Sequence, residues 1–285
     1  MSLFKVSKDN SNNYGSPLIA AAMAAKAGVA YPAADKVINY LNKSLDEMQV
    51  EMVGKELSEA GGKLLKQKML AKELQHLPIV AGKSNYFTKV PKDYLPSKKQ
   101  FMGALNKGGY EGIASVKLDP LKLVRDARDS GGYVSFMREN PITVAHELGH
   151  ASMLNPTSKI RGSKLYDIIE LASRRSGTKR NALLAALVAG SFDSEDKSKW
   201  AVPALVAATQ APVLAEEGIA SFKAMKALKD LAKTNPEVIS KEMLSKAGPY
   251  LRRAWGTYGA RSAGMLAAPI AAIGARSYFD DWLKE

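Results

Sequence analysis

"NPITVAHELGHASMLN" (residues 140–155) decides how the rest of this chain is read. Asn140 is a good N-cap and Pro141 suits the first helical position, so the spacing predicts a helix starting here. Apart from Gly149, nothing in the stretch breaks it. On such a helix His146 and His150 lie one turn apart on one face, as two ligands to one metal ion must. Glu147 is turned about 100° away, where it reaches a metal-bound water rather than the metal. Zinc would bring that water to a pKa of about 7, Glu147 would take its proton, and the resulting nucleophile would attack a peptide carbonyl. Glu147 would then pass the proton to the leaving amine.

Composition does not account for this match. The chain holds three histidines, His76, His146 and His150. Random placement would yield His-Glu-x-x-His with a probability on the order of a few in a thousand. The flanking Val144, Ala145, Leu148, Gly149 and Ala151 are uncharged, as a buried helix with one polar face requires. The competing reading is a core helix whose two histidines hydrogen-bond to backbone.

A catalytic zinc site needs a third protein ligand. The long metzincin pattern places another His six residues after the second, but Pro156 stands there. His76 ends a lysine-rich helix just before Pro78 and reads as a surface residue. The third ligand is therefore expected to be a carboxylate. Asp193, Glu195 and Asp196 belong to the polar loop "SFDSEDKSK", a poor platform for a rigid ligand. Asp167 and Glu170 fall on the polar side of an amphipathic helix. "PVLAEEGIASFKAMKAL" (212–228) instead carries two acids in an apolar setting. Glu217 shares a face with Leu214, Ala220, Ser221, Ala224 and Leu228, and a buried unpaired carboxylate is costly unless a metal offsets it. Glu217 is the first candidate. Glu216 is the second, either as ligand or as a hydrogen-bond partner to a ligand histidine.

With these residues in hand, His146-Glu147-Leu148-Gly149-His150, followed by Glu217-Gly-Ile-Ala220-Ser221, resembles the gluzincin pattern. The closer likeness is to the membrane-type CAAX-protease and heat-shock-protease group and to bacterial neutral zinc metallopeptidases. The resemblance covers about 140–230 and, more loosely, 255–272; residues 1–78 match nothing. It implies a zincin-like fold, a zinc cofactor held by His146, His150 and Glu217, and peptide hydrolysis. Where many relatives carry an acid supporting a ligand histidine, this chain has Ser221. The residue that stabilises the transition state, often Tyr, His or Arg beyond the third ligand, cannot be His here; Tyr250 and Tyr258 are the candidates.

Around the motif, an Ala-rich start gives way to a helix over about 33–59, whose Ile38, Leu41, Leu45, Met48 and Met52 form one apolar stripe. That stripe is read as a packing face within its own domain rather than a dimer seam. Gly61-Gly62 is expected to break the helix, which resumes over 63–77. Residues 79–139 are rich in Tyr, Phe, Val, Gly and Pro, with candidate strands "PIVAG", "GIASVKL" and "GYVSF". Helices dominate from 140 onward. The expected fold class is α+β, predominantly α-helical, with a small β-sheet before the zinc-motif helix. "GYVSF" (132–136) is the expected edge strand, able to pair with an extended substrate, with "GIASVKL" as the alternative. Two domains are expected, 1–78 and 79–285.

The 285 residues carry a net charge of +13 and no cysteine. Disulfides, Cys-ligated zinc and thiol nucleophiles are thereby excluded, and a cytoplasmic setting, or a particle assembled there, is expected. The polar N-terminus lacks the pattern of a secretory signal. The positive charge favours anionic partners in general, but no nucleic-acid-binding signature accompanies it. Apolar runs at 181–192, 200–215 and 262–275 are each shorter than the about 18–20 residues a spanning helix needs. Burial in protein or against partner subunits is preferred, while the basic flank Arg174, Arg175, Lys179 and Arg180 suits peripheral contact with anionic lipid. The leading function is a zinc endopeptidase acting on a peptide or protein substrate. The alternative is a structural or assembly protein, of a virion or membrane complex, in which zinc holds helices together.

Overall fold

The computed structural model describes residues 32–48, 59–75, 77–81, 86–89, 125, 126, 129, 132–136, 140–154, 185–192 and 196–282. Helical residues 32–48 form α1, and Glu59–Met69 form α2, followed by a 3-10 turn at Lys72–Leu74. Three short strands are β1 (Ile79–Ala81), β2 (Tyr86–Lys89) and β3 (Gly132–Phe136). Pro141–Ala151 is α3, helical residues 185–190 are α4, and Ala201–Thr234 and Lys241–Trp282 are the long helices α5 and α6.

The expected α+β class is corrected. Among the described residues the packed body is all-α, 89% helical. Strand pairing amounts to a β1-β3-β2 ladder of three-, four- and five-residue segments. Such segments are too short to make a sheet layer, and the buried core is supplied by helices and the turns that join them. "GYVSF" is also not an edge strand. It lies parallel to β1 on one side and antiparallel to β2 on the other, so its backbone groups are already taken. "GIASVKL" (112–118) lies outside the described residues.

The chain divides into two compact units, each assembled from separated stretches. One comprises Asn39–Ala172 and Pro212–Tyr258. Its core joins Leu65 and Leu77 to Ile142, Val144 and Leu148 of α3, Ala224 and Leu228 of α5, and Met243 and Ala247 of α6. Each fully buried leucine here contributes about 1.5–3 kcal/mol relative to exposure. Leu45 and Met48 of α1 pack on this core, and Arg253 Nη1 donates to Met48 Sδ at 3.0 Å. Leu45 and Met48 of the α1 stripe thus lie on an internal packing face. The expected break at Gly61-Gly62 does not occur. Both glycines are buried inside α2. Glycine costs a helix only about 1 kcal/mol relative to alanine, and tertiary packing overrides so weak a preference.

The other unit comprises Met1–Ile38, Ser173–Ala211 and Gly259–Glu285. Its described core is small-residue packing, with Ala186, Ala268, Ala272 and Ala275 around Met265, and Val206 against them. Ser262 is buried and donates to Gln210 Oε1 at 3.2 Å. Among the described residues, no helix is long and apolar enough to cross a membrane.

Candidate metal centre

The helix that carries the motif is set by its first residue. Asn140 is extended, and its Oδ1 accepts from the backbone N–H groups of Ile142 (2.8 Å) and Thr143 (3.3 Å). Two of the helix's otherwise orphaned donors are thereby satisfied, and Pro141 occupies the next position without loss. From this start every residue up to Gly149 is buried. A helix sunk in the core on all sides holds its polar groups in fixed positions.

The α5 helix lies against this helix at very short range. A Cβ added to Gly149 would stand 2.5 Å from the carbonyl oxygen of Ala220 and 2.8 Å from its Cα. Only glycine permits that approach. Ser152 Oγ donates to the Gly149 carbonyl at 2.6 Å and accepts from Lys223 Nζ at 2.8 Å, tying α5 to the end of α3. Burial lowers the pKa of Lys223.

This packing brings Glu217 to the two histidines. Glu217 Oε2 lies 3.2 Å from His146 Nε2 and 3.4 Å from His150 Nε2. The rings of His146 and His150 stand edge to face, with centroids 4.9 Å apart. Donor atoms of His146, His150 and Glu217 all lie within 4.8 Å of one another. A buried His-His-Glu group of this kind can hold a metal ion. The outer nitrogens are also engaged. His150 Nδ1 is 3.2 Å from Glu216 Oε1, and His146 Nδ1 is 3.3 Å from Ser221 Oγ.

Without a metal, the cluster is an ion-pair network. Burial alone would lower the pKa of His150, but the carboxylates of Glu216 and Glu217 outweigh it and raise the imidazole to about 10. Burial would raise Glu217, yet hydrogen bonds from His146 and His150 hold it down at about 2.

Comparison with protein-family models, curated proteins and solved structures finds no match.

The rest of the site therefore stands on its own geometry. Glu147 is 6% exposed and lines, with His146, a cavity of about 370 Å³. Thr143, Tyr250, Tyr258 and Thr257 form further parts of its wall. Tyr250 is buried, with its hydroxyl 3.2 Å from Thr143 Oγ1, whereas Tyr258 is half-buried. Asn42, Leu45 and Asp46 of α1 also line it. Sequence reasoning missed these three. The only available signal was the α1 stripe, which marks a packing face but not what it packs on.

Among the other acids considered, Asp196 is exposed and accepts from Ser198 N at 2.8 Å, capping the 3-10 turn Lys197–Trp200. His76, Asp167, Glu170, Asp193 and Glu195 lie outside the described residues, as does the basic cluster 174–180.

Proposed function

We propose that this chain is a gluzincin-like zinc metallopeptidase, with His146, His150 and Glu217 as metal ligands and Glu147 as the general base. The observation that carries the reading is the convergence of three donors from two helices. Ligand atoms each about 2.0–2.1 Å from one tetrahedral ion stand roughly 3.3–3.5 Å apart. Glu217 Oε2 meets the two Nε2 atoms at 3.2 and 3.4 Å. Two imidazoles and one carboxylate form a donor set suited to zinc, with a position left for water or substrate.

The outer shell supports the same reading. With both Nε2 atoms committed to a metal, each Nδ1 carries a proton and needs an acceptor. Glu216 accepts that of His150, and Ser221 accepts that of His146. Each contact fixes a ring and a tautomer. The charged Glu216 also makes its imidazole a stronger donor than the neutral Ser221 can.

Bound zinc supplies acidification of a water and polarisation of the scissile carbonyl. The chain's own groups do the rest. Glu147, one residue after the first ligand, faces the cavity and takes the water's proton. It then delivers that proton to the departing amine. Glu147 itself is buried, which limits its contact with bulk water. Tyr258, the less buried of the two tyrosines on the same wall, is the candidate donor to the oxyanion.

A peptide-library digest tests the function. Wild-type protein should cleave, and Glu147→Gln should lose cleavage while keeping its metal. Identical null digests, with metal present in both, would contradict the peptidase reading and leave a scaffold held together by a structural ion.

A further inference from the structure

The cleft beside His146 and Glu147 has a wall that none of the proposed chemistry uses. Asn42, Leu45 and Asp46 project from α1, about one hundred residues before the motif, into the same cavity as the ligand and the base. Asp46 is exposed and makes no hydrogen bond or ion pair with any described residue. It is also a negative charge at the mouth of a cleft in a protein of net charge +13. The described lining contains no Lys or Arg, and Asp46 and Glu147 are its two carboxylates.

We propose that Asp46 is a specificity residue that selects substrates presenting a lysine or arginine side chain next to the scissile bond. This deepens the peptidase reading and rests on it. A cavity of about 370 Å³ is large enough for one side chain and its adjoining backbone. Tyr250 and Tyr258 supply aromatic wall for the aliphatic stem of such a side chain, and for the face of a guanidinium. Asp46 supplies the counter-charge at the open end. An acidic side chain in the same place would meet two like charges and be rejected, so the selection works by repulsion as well as attraction. Asp46 is solvent-accessible, which limits the pair to roughly a 3- to 10-fold preference.

The test uses the full chain carrying Glu147→Gln, which leaves Asp46 as the acid of the cleft. Its equilibrium binding to a set of peptides differing only in a central Lys, Ala or Glu is measured, alongside Glu147→Gln/Asp46→Asn and Glu147→Gln/Asp46→Lys. The expected order is Lys above Ala above Glu, flattened by Asp46→Asn and reversed by Asp46→Lys. Binding of no peptide, or an order indifferent to residue 46, overturns the inference. Lys-selective binding that depends on Asp46, in a protein whose wild-type form cleaves nothing, would support the recognition site and count against the peptidase chemistry alone.

Discussion

Gly149 and Ala220 are in near backbone contact. A Cβ on Gly149 would sit 2.5 Å from the Ala220 carbonyl oxygen, closer than real Cβ atoms come to such a neighbour. Ala220 lies three residues after Glu217, and Gly149 lies directly before His150. The spacing between the two ligand-bearing helices is therefore set at a single pair of small residues.

Gly149→Ala should push the helices apart by more than either can absorb without losing core contacts. The expected cost is about 1–3 kcal/mol of stability, the usual range for overpacking. Metal affinity should fall as well, because Glu217 moves with Ala220. Chemical denaturation and a zinc titration on the same variant check both effects.

Glu216 and Glu217 are neighbours with different tasks, and their substitutions should separate. Glu217→Gln should abolish stoichiometric metal binding. Glu216→Gln should retain it with about 10- to 100-fold weaker affinity, the usual effect of removing a group that orients a ligand histidine. Equal losses in competition titrations would place both carboxylates on the metal.

The metal-free protein should show a definite pH response. His150 is raised from 6.5 to about 10, so its contribution to stability is complete below pH 6.5 and is lost as pH rises through 10. Glu217 is lowered from 4.5 to about 2, so its contribution is complete above pH 4.5 and is lost as pH falls through 2. Melting temperatures of chelator-treated protein should therefore carry the full contribution of this pair between pH 4.5 and 6.5. Metal binding requires neutral imidazole, so zinc must expel the His150 proton, and affinity should rise by about tenfold per pH unit across neutrality. Wild type and His150→Ala compared across pH isolate the effect.

The two tyrosines of the cleft should also separate. Tyr250→Phe removes a buried hydrogen bond to Thr143 and should cost about 1 kcal/mol of stability. Tyr258→Phe should lower kcat by about 100-fold with metal retained. Steady-state kinetics on a peptide cut by wild type distinguish them.

How much of this was legible in the sequence depended on whether the deciding interaction is local. The Asn140 cap and the His146–His150 spacing follow from helix geometry within a few residues. Glu217 was legible for a chemical reason, since an acid among Ala220, Ala224 and Leu228 calls for compensation. The helix through Gly61-Gly62 was not legible, because buried packing around α2 decides it. The place of "GYVSF" between β1 and β2 was equally hidden, since its partners lie elsewhere in the chain. The Tyr- and Val-rich region suggested a sheet layer, but its described strands run to at most five residues and the described core is built from helices. Asp46 comes to line the same cavity as Glu147 only through tertiary packing of α1, for which a stripe of apolar residues names no partner.

The most direct test of the account is the metal content of the purified full chain beside that of Glu217→Ala. One zinc per chain in the wild type, lost in Glu217→Ala while the helical signal is retained, is the predicted result. A wild-type chain that binds no zinc, or zinc that stays when Glu217 is removed, would contradict it.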